Sequence, residues 1–116
     1  MIRIRQWRTL AAVFAFIESS SFEEIRPVYL DDDEYAELQQ SMMRNPEAGE
    51  LVKGSGGVRK LRWKRPGMGR RGGLRVIYYV QYTPSEFGML TLYAKATLDN
   101  VPGHILKQLL EVCRNA

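Results

Sequence analysis

Three stretches in the second half of the chain have the residue pattern of β-strands. In residues 58–64, Leu61 and Trp63 alternate with basic side chains, and residues 74–82 and 89–95 are rich in β-branched and aromatic residues. Residues 83–88, between the last two stretches, contain Pro and Gly and have the composition of a turn. The pattern therefore predicts a three-stranded meander.

The remaining segments predict one more strand and three helical segments. Residues 13–18 are predicted to form a strand, and residues 1–12 a basic N-terminal extension in front of it. Residues 21–30 predict a short helix, and residues 31–45 a helix that begins with an acidic N-cap sequence and ends before Pro46. Residues 102–114 predict a closing helix whose buried stripe is formed by Ile105, Leu109 and Val112.

Together these elements predict an α+β domain. A chain of 116 residues, 45% of them hydrophobic, has the length and composition of one compact domain, which we place at residues 13–116. We expect a small antiparallel sheet, made of the N-terminal strand and the meander, to pack against the two N-terminal helical segments. The C-terminal helix completes the domain.

Charge is distributed unevenly along this sequence. Ten of the 13 acidic residues lie between Glu18 and Glu50, whereas residues 51–85 contain nine Lys or Arg and no Asp or Glu. The formal net charge of +4 therefore hides a strongly basic segment. The local charge governs the encounter with a polyanion. This segment therefore indicates a surface that binds a phosphate-rich partner rather than a solvent-exposed basic surface without a ligand.

Strand alternation gathers part of this charge on one face of the predicted sheet. If the three strands pair in sequence order, side chains about 5 Å apart on neighbouring strands form one basic patch. Arginine binds phosphate oxygens in pairs of hydrogen bonds, and RNA bases stack on Tyr or Arg. The predicted patch consists of Lys60, Arg62, Arg75, Tyr93 and Lys95, and the residues predicted to add nucleic-acid contacts are Arg59, Lys64, Arg65, Arg70 and Arg71.

The residue types of this patch restrict the chemistry that it can perform. It contains no carboxylates of the kind that hold catalytic metal ions, and His104 is the only histidine of the chain. We therefore expect no metal site. We also expect no cofactor, because the glycine-rich residues 54–57 lack the Gly-Lys-Ser/Thr ending of a phosphate-binding loop. Metal-free RNA cleavage by the 2′-hydroxyl fits these residues, with Lys60 as base, Arg75 binding the phosphate, and Tyr93 or Lys95 in proton transfer or orientation.

Three runs of this sequence resemble the RelE-like toxins, in particular the HigB branch of bacterial toxin–antitoxin modules. The runs are residues 54–62, 69–79 and 90–95, and the similarity extends from about Phe14 to the C-terminus. The resemblance implies an mRNA interferase, which cuts mRNA in the ribosomal A site without a metal. It also implies an antitoxin partner, usually with a helix-turn-helix domain, so that DNA is contacted only through that partner.

The resemblance assigns roles to individual positions. Lys60 and Arg62 fall where the family has basic active-site residues, Arg75 falls on its phosphate-binding arginine, and Lys95 lies in a region that is basic in relatives. The sequence departs from the family at Ala96, where some RelE toxins have a catalytic arginine.

Two other functions remain open at this point. The chain could bind RNA or the ribosome and block translation without cutting, or it could be a protein-interaction domain whose basic face meets an acidic partner. The single cysteine, Cys113, excludes an internal disulfide and fits a reducing, cytoplasmic setting. No apolar run approaches the roughly 18 residues of a membrane-spanning helix, so we expect no membrane partner.

Overall fold

A computed structural model describes residues 3–8, 13–95 and 101–114, with side chains described for residues 14–69, 72–95 and 101–114. The chain forms an α+β fold. Its elements, in chain order, are β1 (Arg3–Arg8), β2 (Val13–Glu18), α1 (Ser20–Tyr29), α2 (Asp32–Arg44), β3 (Glu50–Leu51), β4 (Arg59–Lys64), a 3-10 turn (Gly69–Gly72), β5 (Gly73–Tyr82), β6 (Ser85–Ala94) and α3 (Gly103–Arg114).

The strands form one sheet in the order β1-β2-β6-β5-β4-β3. The β4-β5-β6 meander is antiparallel and confirms the predicted strand pairing. The prediction of a wholly antiparallel sheet is wrong, because β2 lies parallel to β6. Residues 19–84, which contain α1, α2 and strands β3 to β5, form the long connection that parallel neighbours require. The segment assigned to an N-terminal extension contributes β1, and the short strand β3 was not predicted.

Local capping explains where the first two helices begin. The Ser19 hydroxyl accepts a hydrogen bond from the Phe22 N–H, which starts α1. At the start of α2, Asp31 and Glu34 form the predicted capping box, in which each side chain accepts a hydrogen bond from the other residue's backbone N–H.

The first face of the sheet packs against α1 and α2. This core contains large side chains from both helices and from the central strands, and its aromatic rings stack at centroid distances such as 4.9 Å between Phe16 and Phe87. Its fully buried members include Phe16, Phe22, Tyr35, Leu38, Tyr78 and Phe87.

The second face of the sheet is partly covered by α3, whereas the sequence predicted an open face. Leu106 and Leu110 of α3 are buried against Ile77 and Leu90 of the sheet. The predicted stripe is wrong, because Ile105 is 38% exposed and Val112 is 69% exposed. At the first residue of α3, a Cβ on Gly103 would clash with the Lys53 carbonyl oxygen. This close approach lets the helix lie against the 53–54 turn.

Candidate nucleic-acid interface

A row of three paired residues crosses the second face of the sheet at the end that leads to the β4–β5 loop. Arg62 of β4 lies opposite Arg75 of β5, and Arg75 lies opposite Tyr93 of β6. Directly opposed residues share a face and have Cβ atoms about 5 Å apart. Like charges in opposed positions are destabilising, so this row costs folding free energy.

A cavity of about 380 Å³ opens beside this row. That volume is within the usual range of small-molecule sites. Trp63 lies opposite buried Leu74 and packs against the core on the α1–α2 side of the sheet. The lining residues are Arg62, Trp63, Lys64, Gly69, Gly73, Arg75 and Lys95.

The electrostatics of this cavity are one-sided. Arg62, Lys64 and Lys95 are exposed and Arg75 is half-buried. Among the residues whose side chains are described, none of these four cations has a carboxylate oxygen within 4.0 Å. The Arg75 guanidinium donates a hydrogen bond of 3.2 Å to the Leu74 carbonyl oxygen, which directs it along the strand. The cavity therefore presents four positive charges to an incoming anion.

Lys64 is a more central member of this site than the sequence predicted. It was expected only to add nucleic-acid contacts, yet it lines the cavity with Arg62 and Arg75. In the hairpin, Lys64 lies opposite Gly73, which has no side chain to fill the space. Counting the register outward from Arg62 and Arg75 would have revealed this pair, whereas no sequence signal identified Gly69 as part of the wall.

Two residues of the predicted patch lie outside the cavity lining. Tyr93 is only 8% exposed and packs in the core beneath α3, together with Leu106 and Leu110. Its burial contradicts the expected open aromatic surface. Lys60 lies one row away, opposite buried Ile77, and is half-buried. Alternation identified the shared face, but it did not show that α3 covers the part around Tyr93.

Arg59 serves a structural contact rather than the basic face. Its guanidinium donates hydrogen bonds to the Glu47 carboxylate at 3.0 Å and to the Gly49 carbonyl oxygen at 2.7 Å. Arg59 lies opposite Tyr78, which belongs to the core on the α1–α2 side. Arg59 therefore lies on the face of the sheet away from the cavity. There it binds the segment that connects α2 to β3.

The remaining predicted contacts lie in the loop between β4 and β5. Arg65 closes the base of this loop and its guanidinium lies over the ring of Tyr29 in α1. The side chains of Arg70 and Arg71 lie outside the described residues, although their backbone forms the 3-10 turn after Gly69. Ala96, the departure from the family pattern, also lies outside the described residues.

Other titratable groups lie away from the cavity. His104 is an exposed residue in the first turn of α3. Burial raises the pKa of the Cys113 thiol, which lies in the last turn of the same helix. Across residues 3–8, 13–95 and 101–114, no three His, Cys, Asp or Glu side chains are close enough together to hold a metal ion. The same residues contain no helix that is long and apolar enough to cross a bilayer.

The sequence matches no known protein-family model. The function is therefore inferred from the cavity and from its residues.

Proposed function

We propose that the protein is a RelE-like toxin of the HigB branch, a metal-free endoribonuclease that cleaves mRNA on the ribosome. The observation that carries this proposal is the cavity lined by Arg62, Lys64, Arg75 and Lys95, in which no described carboxylate opposes the four charges. Phosphodiesters are the anions that such a site favours, because arginine binds phosphate oxygens through two parallel hydrogen bonds.

The proposed reaction needs no group beyond the RNA and the protein. The 2′-oxygen attacks the adjacent phosphorus, the bond from phosphorus to the 5′-oxygen breaks, and the products are a 2′,3′-cyclic phosphate and a 5′-hydroxyl. One proton leaves the 2′-hydroxyl and one is delivered to the departing 5′-oxygen. Negative charge on the phosphate increases in the transition state, and positioned cations stabilise it.

Arginine and lysine divide the roles in this reaction. Arg62 and Arg75 bind and stabilise the phosphate, because a guanidinium does not give up its proton in a protein. Proton transfer then falls to lysine, and Lys64 and Lys95 are the lysines that line the cavity. Lys60, one row away, is the remaining candidate base. Tyr93, at the β6 end of the row, is buried and packs in the core instead of contacting RNA.

The biological setting of the proposal follows the family resemblance. The substrate is mRNA in the ribosomal A site, the protein acts in the cytoplasm, and a co-encoded antitoxin with a helix-turn-helix domain neutralises it. An antitoxin can act by covering the cavity or by binding elsewhere, and DNA is contacted only through that partner.

The decisive variant is Arg75→Ala, compared with Arg44→Ala as a matched control. Arg44 is exposed at the end of α2, which packs on the opposite face of the sheet. Loss of one preorganised charge contact costs about 100- to 1,000-fold in rate. We therefore expect Arg75→Ala to abolish growth arrest and new mRNA 5′ ends at matched expression, while Arg44→Ala retains both. Full toxicity of Arg75→Ala would refute the proposal.

A second candidate function is a protein that binds RNA or the ribosome and blocks translation without cutting. The burial of Tyr93 favours it, because it removes a tyrosine hydroxyl from the surface available to RNA. Inhibition of translation without new mRNA 5′ ends would identify this function.

A salt titration separates both RNA functions from a protein-interaction domain. The logarithm of the RNA association constant should fall by about 0.7 per neutralised phosphate for each tenfold increase in salt. A flat response, with stable binding of an acidic peptide, would favour the protein-interaction domain.

A further inference from the structure

The loop between β4 and β5 is closed at its base by a single residue. The backbone N–H of Arg65 and the Nε–H of the same side chain both donate to the Gly72 carbonyl oxygen, at 3.1 and 3.2 Å. Gly72 is buried, and a Cβ there would lie 2.9 Å from the Arg65 carbonyl oxygen and from the Met68 Cβ. The loop therefore has a defined base with no space for a side chain at residue 72.

The guanidinium that closes this loop is itself held by the helix on the opposite side of the sheet. The Arg65 Cζ lies 5.5 Å from the centroid of the Tyr29 ring, which is within the distance of a cation–π contact. Tyr29 is the last residue of α1 and packs against the core on the α1–α2 side. Its hydroxyl forms no hydrogen bond among the described residues, so the ring alone makes this contact.

The same loop supplies one wall of the basic cavity. Gly69, which begins the 3-10 turn with a φ of 56°, lines the cavity directly, and residues 70 and 71 are both arginine. The position of this wall depends on the Arg65–Gly72 closure, because the loop leaves β4 at Arg65 and enters β5 after Gly72.

We propose that Arg65, held by the ring of Tyr29, is a positioning residue that sets the β4–β5 loop for RNA binding in the cavity. Neither residue lines the cavity, so both act through the loop. The RNA-binding part of this inference rests on the proposed function, whereas the loop-closing part stands on the contacts alone. A partner that contacts α1 would in this way be able to change the cavity from the opposite side of the sheet.

The test compares Tyr29→Leu with Tyr29→Phe. Phenylalanine keeps the ring and should behave as the wild type, whereas leucine removes the cation–π contact and should loosen the loop. We expect the Arg65 amide, followed by hydrogen exchange, to exchange about two- to fivefold faster in Tyr29→Leu, as the loss of such a contact predicts. Arg65→Ala should increase the exchange of the loop amides further, and Arg44→Ala should leave it unchanged.

A second readout follows the loop to the RNA. Affinity for a single-stranded oligoribonucleotide should fall in Tyr29→Leu, and the salt slope should decrease by up to about 1.4 if two phosphate contacts of the loop are lost. A merely structural role of Tyr29 would lower thermal stability without changing this slope in the folded protein. Unchanged exchange of the Arg65 amide in Tyr29→Leu would overturn the inference. If the Arg65 amide exchanges faster in Tyr29→Leu but the wild-type protein binds no RNA, the role of Arg65 in closing the loop is supported. The proposed function is then refuted instead.

Discussion

The hydroxyl of Tyr78, in the central strand β5, forms hydrogen bonds with the segment that connects α2 to β3. It donates a hydrogen bond of 2.8 Å to the Pro46 carbonyl oxygen and accepts one of 3.0 Å from the Gly49 N–H. Tyr78 is fully buried, and a Cβ on Gly49 would lie 2.9 Å from its ring. Replacing Tyr78 by Phe therefore keeps the packing and removes only the two hydrogen bonds.

The cost of Tyr78→Phe follows from which partner remains buried. The Gly49 N–H loses its partner in a buried position, and a buried donor without a partner costs about 1–3 kcal/mol. The Pro46 carbonyl is half-buried and is able to recruit water, so it adds little. We expect the free energy of unfolding to fall by about 2 kcal/mol, which at a urea m-value of about 2 kcal/mol/M lowers the midpoint by about 1 M.

Urea unfolding followed by circular dichroism measures this change directly. Tyr29→Phe is the matched control, because the Tyr29 hydroxyl has no hydrogen-bond partner among residues with described side chains, and its midpoint should stay within the error of the wild type. A Tyr78→Phe protein with an unfolding free energy within about 0.5 kcal/mol of the wild type would show that the reasoning about buried hydrogen bonds is wrong.

Two more predictions concern stability. Burial raises the pKa of both Tyr78 and Tyr79 in the folded protein. The neutral phenols therefore contribute to stability at a pH below their unfolded pKa of about 10. This contribution is lost as the pH rises from that value toward their higher folded pKa. Urea midpoints should therefore drop as the pH rises above about 10, less steeply in Tyr78→Phe. A parallel decline in the two proteins would contradict the assignment to Tyr78. In Gly103→Ala the added Cβ would clash with the Lys53 carbonyl oxygen, so we expect the melting temperature to fall. Alanine normally stabilises a helix relative to glycine, which makes a decrease diagnostic of the clash. Gln108→Ala, at an exposed position of the same helix, is the control and should not lower the melting temperature. An unchanged or higher melting temperature for Gly103→Ala would contradict the close packing.

Only part of the meander could be predicted from its sequence, because β6 begins at Ser85, inside the predicted turn, and a register shift lies between Ile77 and Tyr78. The positions of β4 and β5 followed from alternation, because a period of two fixes which residues share a face. Alternation therefore also identified Arg62 and Arg75 as neighbours. The covering of that face was not predictable in the same way. Helix α3 has two apolar stripes at helical spacing, one through Ile105 and one through Leu106, and tertiary contacts alone decide which is buried.

The contact of Arg59 with Glu47 was not predictable for a related reason. Glu47 is 12 residues away from Arg59 in sequence, and the contact forms only after the chain turns back from α2 into β3 and β4. The parallel pairing of β2 with β6 has no local signal either, because it joins segments about 70 residues apart. Long-range contacts of this kind depend on how the elements assemble, which local pattern does not determine.

The short length of β3 has a consequence for solubility. It pairs only with Arg59 and Lys60, so the outer edge of β4 from Leu61 to Lys64 has no neighbouring strand among the described residues. A bare edge invites another chain to add a strand, and charged side chains along it discourage such growth. Arg62 and Lys64 therefore discourage the addition of a strand at this edge as well as facing the cavity. Variants that neutralise both will lose this protection, so their behaviour in solution should be examined before any loss of activity is ascribed to chemistry.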